Sequence, residues 1–364
     1  MQSVVVAPVP YFPSGSPLFG RWGKVSYVPR HETRHGLAIL HPRYPVIPKV
    51  GTNLAPALLA LGSLASLRLV QDGGFDFDLI DAHYVYPDGV AAVWLGLLLS
   101  KPVVVTARGT DVNLIPRMMI PRILIRKTLR HASGIIAVSE ALKQAIIALD
   151  FCPEQVSVLR NGVDLVKFLP QSREKIRHEL QLNSPTLISV GHLIERKGHD
   201  IVIKALTELP DHYLLIIGEG PQRASLQRLV ASLGLGSRVR FLGTIPHDQM
   251  ARYYSAADAL VLASSREGWP NVLLESMACG TPVVASNIWG NPEIVKLPEC
   301  GLLMSERTSE AAAQAIRSLF ANMPQREATR RYAERFSWDE TSRGQLAVFR
   351  RVLQQPTAQF ADRR

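Results

Sequence analysis

Short runs of β-branched residues and leucine alternate with stretches of helical periodicity along almost the whole chain. In the first half, Val4–Val6, Leu79–Asp81, Val103–Thr106 and Ile135–Val138 read as strands. Helices are predicted over Leu54–Val70, Gly89–Leu99, Arg117–His131 and Ala141–Leu149, with Ser139 placed to cap the last. In the second half, Thr186–Val190, Tyr213–Ile217, Val239–Leu242, Ala259–Leu262 and Pro282–Ala285 read as strands. Their helices follow at Asp200–Leu209, Gln222–Leu233, Asp248–Ala256 and Asn271–Ala278. Strands joined by crossover helices form parallel sheets, so the pattern predicts a doubly wound α/β class. Asn161-Gly162-Val163-Asp164 and the polar stretch Gln171–Glu174 divide two such sets. The predicted domains are 1–165 and 166–335, with 336–364 as a basic helical tail across their junction. Two facing domains of this kind leave a cleft at the carboxyl ends of their strands, where the class binds ligands.

Bulk properties narrow the picture. A chain of 364 residues exceeds what one core usually supports, which agrees with two domains. Cys152, Cys279 and Cys300 stand far apart with no C-x-x-C pair, which argues for a reducing cytoplasm and against disulfides or zinc. Met1-Gln2-Ser3-Val4 lacks the basic segment of a signal peptide. The longest uncharged run, Val50–Leu67, contains Gly51, Pro56 and Gly62 and closes at Arg68, so a buried helix is expected there and not a transmembrane span.

The net charge of +10 asks for an anionic partner. From Val112 to Ser139 there is no acidic residue, while Arg117, Arg122, Arg126, Lys127 and Arg130 all fall inside. Spacing of four sets Arg122, Arg126 and Arg130 on one helix face, with Met118, Met119, Ile120, Ile123, Leu124 and Ile125 interleaved. That composition suits a basic helix lying on an anionic membrane surface. It lacks the aromatic residues on which single-stranded nucleic acid stacks, so nucleic acid is not the expected partner.

The chemistry concentrates at Glu267-Gly268-Trp269-Pro270-Asn271-Val272-Leu273-Leu274-Glu275. Pro270 suits a helix start, which places Glu267 in the loop before the helix and Glu275 one turn inside it. Between these carboxylates lie the free N–H groups of the first turn and the positive end of the helix dipole. An anion site flanked by hydroxyl-binding carboxylates fits a diphosphate between two polyols, as in a sugar nucleotide. Lys197, on the turn Gly191–Gly198 after a strand, is placed to reach that diphosphate. Asp81 and His83 lie at the far end of their strand and Arg108-Gly109-Thr110-Asp111 follows the next, so these should face the cleft, with Arg108 a catalytic candidate and His83 and Asp111 weaker candidates for the acceptor side. Asp76-Phe77-Asp78 precedes its strand and reads as a solvated loop, and Gly218-Glu219-Gly220 as a turn.

Taken in order, Gly191–Gly198, Gly218–Pro221, Phe241-Leu242-Gly243, Ala257-Asp258, Glu267–Glu275 and Met277–Ala285 resemble the donor half of a family 4 glycosyltransferase. The resemblance covers essentially the whole chain and is strongest from Thr186 to Leu303. His41-Pro42-Arg43-Tyr44-Pro45, Ala82-His83-Tyr84 and Thr106–Asn113 resemble the branch acting in bacterial envelope and exopolysaccharide synthesis. It implies a retaining enzyme of GT-B fold: two Rossmann-like domains, a nucleotide-sugar donor, no metal and no cofactor. It further implies that Glu267 holds the donor sugar, aided by the amides of Gly268, Trp269, Asn271 and Val272. Glu275 binds the ribose, and Lys197 meets the leaving diphosphate. His192 stands after Gly191 where the family often has arginine, which shifts weight to Lys197 and Arg196. Arg108 stands where many members have histidine; it can hold phosphate but cannot act as a base at neutral pH.

The expected protein moves a sugar to a lipid-linked or polysaccharide acceptor on the inner face of the cytoplasmic membrane. Rivals are a sugar-nucleotide 2-epimerase on the same architecture and an inactive nucleotide-sugar-binding remnant. Family members open with a strand, a Gly-rich turn and a helix, whereas Val4–Val6 resembles their second strand and Gly15 and Gly20 come after it. The chain is therefore expected to be shortened at its start.

Overall fold

Residues 103–107 and 134–137 are buried at every position, as strands covered on both faces must be. The computed structural model describes residues 2–12, 16, 23, 25–47 and 51–354. Met1, Gly15, Gly20, Val50 and the end of the tail lie outside these residues. The chain divides into two units: Met1–Ala137, Leu142–Val158 and Leu346–Arg364 in one, and Val138–Ala141 and Leu159–Gln345 in the other.

The first unit holds β1 (Val4–Val6), β2 (Val9–Pro10), β3 (His31–Arg34), β4 (Leu37–Leu40), β5 (Arg43–Tyr44), β6 (Ile80–His83), β7 (Val103–Ala107), β8 (Gly134–Ala137) and β9 (Val156–Val158). The last four form a parallel sheet in the order β6-β7-β8-β9. β1 pairs in parallel with β4, which closes an antiparallel hairpin with β3, while β2 pairs with β5. The described strands of this unit thus belong to three sheets.

Several helices depart from the pattern reading. A helix starts at Met119 and not at Arg117, because Met118 is extended and Ile115–Arg117, which contains Pro116, forms a separate 3-10 turn. The Val90–Leu99 helix is preceded by a wide π turn over Val85–Gly89. The helix expected to be buried runs Gly51–Asp72, yet only 22% of its most apolar window is buried. Leu54, Leu61 and Leu69 face outward, while Pro56, Leu59, Ser63 and Leu67 are buried and a Cβ on Gly62 would meet the Arg43 carbonyl at 2.7 Å.

The second unit is one six-stranded parallel sheet of β10 (Thr186–Val190), β11 (Tyr213–Ile217), β12 (Val239–Gly243), β13 (Ala259–Leu262), β14 (Val283–Ser286) and β15 (Gly301–Met304), ordered β12-β11-β10-β13-β14-β15. The order reverses at β10, and ligands of open α/β sheets bind beside such a switch point. Leu187, Ile203, Leu214, Val261 and Ile316 are among the side chains that fill its core. Hydrophobic burial is what stabilises this unit, at roughly 25 cal/mol for each Å² of apolar surface removed from water.

His199 opens the helix after the Lys197 turn and is buried, with Nδ1 2.9 Å from the Ser189 hydroxyl. Burial first, then the Lys197 charge, lower its pKa from 6.5 to about 4. The unfolded chain therefore binds this proton first, so the linked stability is fully present above about pH 6.5 and is lost as pH falls toward 4. Urea unfolding should show wild type losing about 2 kcal/mol more than His199→Gln between pH 7 and 5. Equal losses in the two proteins would show that His199 does not titrate in this window.

Candidate active site

Three loops leave the carboxyl ends of β10, β11 and β13, and glycine lets them touch. Gly198 has φ +68°, and a Cβ there would lie 2.1 Å from the Ala263 carbonyl oxygen. Gly218 has φ +139°, and its Cβ would lie 1.9 Å from the Gly191 carbonyl oxygen. No side chain fits at either crossing, so the loops hold one another at backbone distance. Polar stitches complete the assembly. Arg196 Nη1 donates to the Arg266 carbonyl at 2.8 Å, and the Ser265 amide donates to the Arg196 carbonyl at 2.8 Å.

These stitches bring Lys197 to Glu267. The ammonium donates to Glu267 Oε1 at 2.6 Å, and Arg196 stands 3.8 Å from the other oxygen. Both partners are largely hidden: Glu267 is buried and the Lys197 side chain is 15% exposed. Neither is the freely solvated loop residue that its sequence position suggests. His192, on the same turn, is exposed, and Gly191 is held at φ +149°.

The helix Asn271–Ala278 starts where the sequence predicts, with Pro270 as its N-cap and no side chain capping its first turn. Glu275, one turn in, accepts from the Tyr254 hydroxyl at 2.9 Å and lies 3.3 Å from His247 Nε2. Burial, then the Glu275 charge, push the Tyr254 hydroxyl far above its ordinary pKa, so it stays a donor. His247 packs edge-on against Phe168 at 5.1 Å. The sequence reading missed Tyr254 and His247, since nothing in their local sequence ties them to Glu275. Gly268 lies in close quarters too, its carbonyl 2.3 Å from where a Gly290 Cβ would be. Trp269 turns away: its indole is buried, lies tilted against Phe336 at 6.0 Å and donates to the Asn161 carbonyl at 3.0 Å. Asn271 spends its side chain on Asn161 at 3.1 Å, and Val272 is half-buried.

Arg108, His83 and Asp111 belong to the first unit. Arg108 Nη2 lies 2.7 Å from His83 Nδ1. A guanidinium only donates, so Nδ1 accepts and the ring proton sits on Nε2, facing Asp81 Oδ2 at 3.4 Å. Desolvation draws the Arg108 pKa down, while the Asp81 charge opposes it. Asp111 is fully buried and not available to an acceptor. It takes the amides of Val85 and Gly109, each at 2.7 Å, and of Arg108 at 3.2 Å. The carboxylate thereby ties the loop after β6 to the turn after β7. Asp76 pairs with Lys101 at 2.7 Å, and among the described residues no group of three or more His, Cys, Asp and Glu gathers as a metal site.

Comparison with known proteins agrees with this layout. Residues 171–336 match the model for glycosyl transferases group 1, and residues 19–167 match that for glycosyltransferase family 4. The D-inositol 3-phosphate glycosyltransferase of Rhodococcus opacus is 34% identical over 54% of this chain and 48% of its own. The lipopolysaccharide core biosynthesis glycosyltransferase LpsE of Rhizobium meliloti is 34% identical over 46% and 48%. TuaC of Bacillus subtilis, named for teichuronic acid biosynthesis, is 28% identical over 79% and 72%. The match spans about half the length of the first two relatives. Among solved structures, sucrose-phosphate synthase from Thermosynechococcus elongatus superposes with a TM-score of 0.75 at 23% identity, covering 90% of this chain and 86% of that one. Anabaena HepE in complex with UDP gives 0.70 at 23% identity, covering 85% of each. Both share the fold of paired parallel α/β units. With two family models meeting end to end over most of its length, the chain belongs to the family 4 glycosyltransferases of GT-B fold.

Proposed function

We propose that the protein transfers a sugar, with retention of configuration, from a nucleotide-diphosphate donor to a lipid-linked or polysaccharide acceptor of the bacterial envelope. The Lys197–Glu267 contact carries this reading. Without ligand the two charges satisfy each other. An arriving diphosphate competes for the ammonium, and the released carboxylate can accept from a sugar hydroxyl. Binding energy is thus converted into a rearranged site that meets charge where it grows. The bond from the anomeric carbon to the diphosphate oxygen breaks, and the acceptor oxygen bonds to that carbon on the same face. The acceptor proton passes to the departing phosphate. Lys197 and the first-turn amides of Asn271–Ala278 stabilise the leaving group, so the reaction needs no metal. Glu275, oriented by Tyr254, takes the ribose hydroxyls.

The names of the relatives favour envelope acceptors, lipopolysaccharide core for LpsE and teichuronic acid for TuaC. HepE has been solved with UDP and with UDP-glucose, which favours a sugar nucleotide as donor. The basic segment supports a place on the cytoplasmic face of the membrane: Arg117, Arg122, Lys127 and Arg130 are exposed, while Arg126 is paired with Asp150 at 2.6 Å.

Glu267→Gln and Lys197→Met should each lower kcat by about 100-fold or more, as loss of an electrostatic contact to the developing charge does. Glutamine preserves the shape of the buried site and avoids the cavity that alanine would leave. Glu275→Gln should raise KM for the donor with little change in kcat. Unaltered turnover in both of the first two variants would refute the assignment. Chelation by EDTA should leave transfer unchanged, and a loss restored by added divalent ion would contradict the metal-free mechanism. Replacing Arg122, Lys127 and Arg130 with glutamine should weaken binding to anionic vesicles about 100-fold, at about 1 kcal/mol for each charge. Unchanged binding would mean that these charges are merely solvated.

A further inference from the structure

Helix Gly51–Asp72 is inside out for a helix bathed in water. Its inner stripe is Pro56, Leu59, Ser63 and Leu67, all buried. Its outer stripe is Leu54, Leu58, Leu61, Ala65 and Leu69, at helical spacing. Leu54, Leu61 and Leu69 are 42%, 70% and 64% exposed. No charged residue occurs from Gly51 to Leu67, and Arg68 is the first. Single exposed leucines are ordinary on any surface, but a continuous uncharged stripe marks a contact face.

The neighbouring helices extend it. β6, β7 and β8 lie side by side, and Val90–Leu99 and Met119–His131 connect them in turn. Right-handed crossovers place both helices on one side of that sheet, and Gly51–Asp72 packs against both. Val90–Leu99 has no charged residue and exposes Trp94 and Leu98. Met119–His131 exposes Met119 and Ile123 beside its cations.

We propose that the outer stripe of Gly51–Asp72 is the apolar anchor of the enzyme, lying in the interface of an anionic bilayer. The proposal rests on the membrane reading above and assigns it a second, charge-independent element. Lipid fits better than a second copy of this chain. A two-fold interface would bring the same basic cluster of each copy toward its mate, whereas acidic headgroups neutralise it. One weak signal binds membranes only marginally, and an apolar stripe beside a basic cluster supplies two. The helix lies on the surface and does not cross it, because its inner side is committed. Gly62 is pressed against β5, and the Tyr86 hydroxyl donates to the Thr52 carbonyl.

The test compares partitioning of the full chain onto phosphatidylglycerol–phosphatidylcholine vesicles at low salt and at about 1 M salt, where charge is screened within a few ångströms. Leu61→Asn/Leu69→Asn should bind about 30-fold more weakly in both, since it removes apolar burial and not charge. The triple glutamine variant should lose binding at low salt only. If wild type binds and the leucine variant binds equally at both salts, the anchor is overturned and the electrostatic reading stands. If wild type binds no vesicle, the membrane reading itself falls. Light scattering that finds a wild-type dimer and a monomeric leucine variant would make the face an interface between copies, which also overturns the anchor. Should the leucine variant unfold, Leu61→Cys in a Cys152→Ser background gives a second measure. Cys152 is the exposed native thiol, while Cys279 and Cys300 are buried. A polarity-sensitive label at position 61 should shift to the blue on vesicles, and an unshifted spectrum would refute insertion.

Discussion

The 2.6 Å contact between Lys197 and Glu267 exists because backbone crosses backbone at Gly198 and Gly218. At both glycines φ is positive and a carbonyl oxygen occupies the place of any Cβ. A side chain at either would push the loops apart, and the ammonium would lose its carboxylate. The cation and the anion are each too buried to stand alone, since an uncompensated charge away from water costs several kcal/mol. Closed on itself, the pair satisfies both charges.

The first unit solves a related problem with one buried carboxylate. Asp111 gathers amides from the segment after β6 and the turn after β7. Burial raises its pKa, while the amides it accepts from oppose that shift. Arg108 and His83 are aimed by the loops so fixed, and their mutual contact sets the tautomer of the imidazole. In both units, then, close polar contacts fix the loops that carry the candidate functional groups.

Outward leucines on Gly51–Asp72 follow from the same geometry. The helix approaches β5 so closely at Gly62 that no side chain fits there. Leu59 and Leu67 fill the buried side, and Leu54, Leu61 and Leu69 are left outside, where water gains nothing from them. Hydrophobic pattern alone cannot separate this case from a buried helix, because both are uncharged on every side.

Much was legible in the chain itself. Alternating apolar runs and helical stretches specify parallel α/β units, since each strand needs two covered faces and each crossover a helix. The helix Asn271–Ala278 was placed to the residue by Pro270, whose fixed φ and missing N–H suit a helix start. Short elements escaped: β2, β5 and β15 have two to four residues, too few for a period to show. What only the tertiary structure decided is which polar groups meet. Lys197 and Glu267 are 70 residues apart, Glu275 and Tyr254 are 21, and no local spacing encodes either contact. The same holds for the buried state of Asp111, the turned-away indole of Trp269 and the exposed leucines of Gly51–Asp72. Periodicity records which residues share a face of one element, while packing between elements determines what that face encounters.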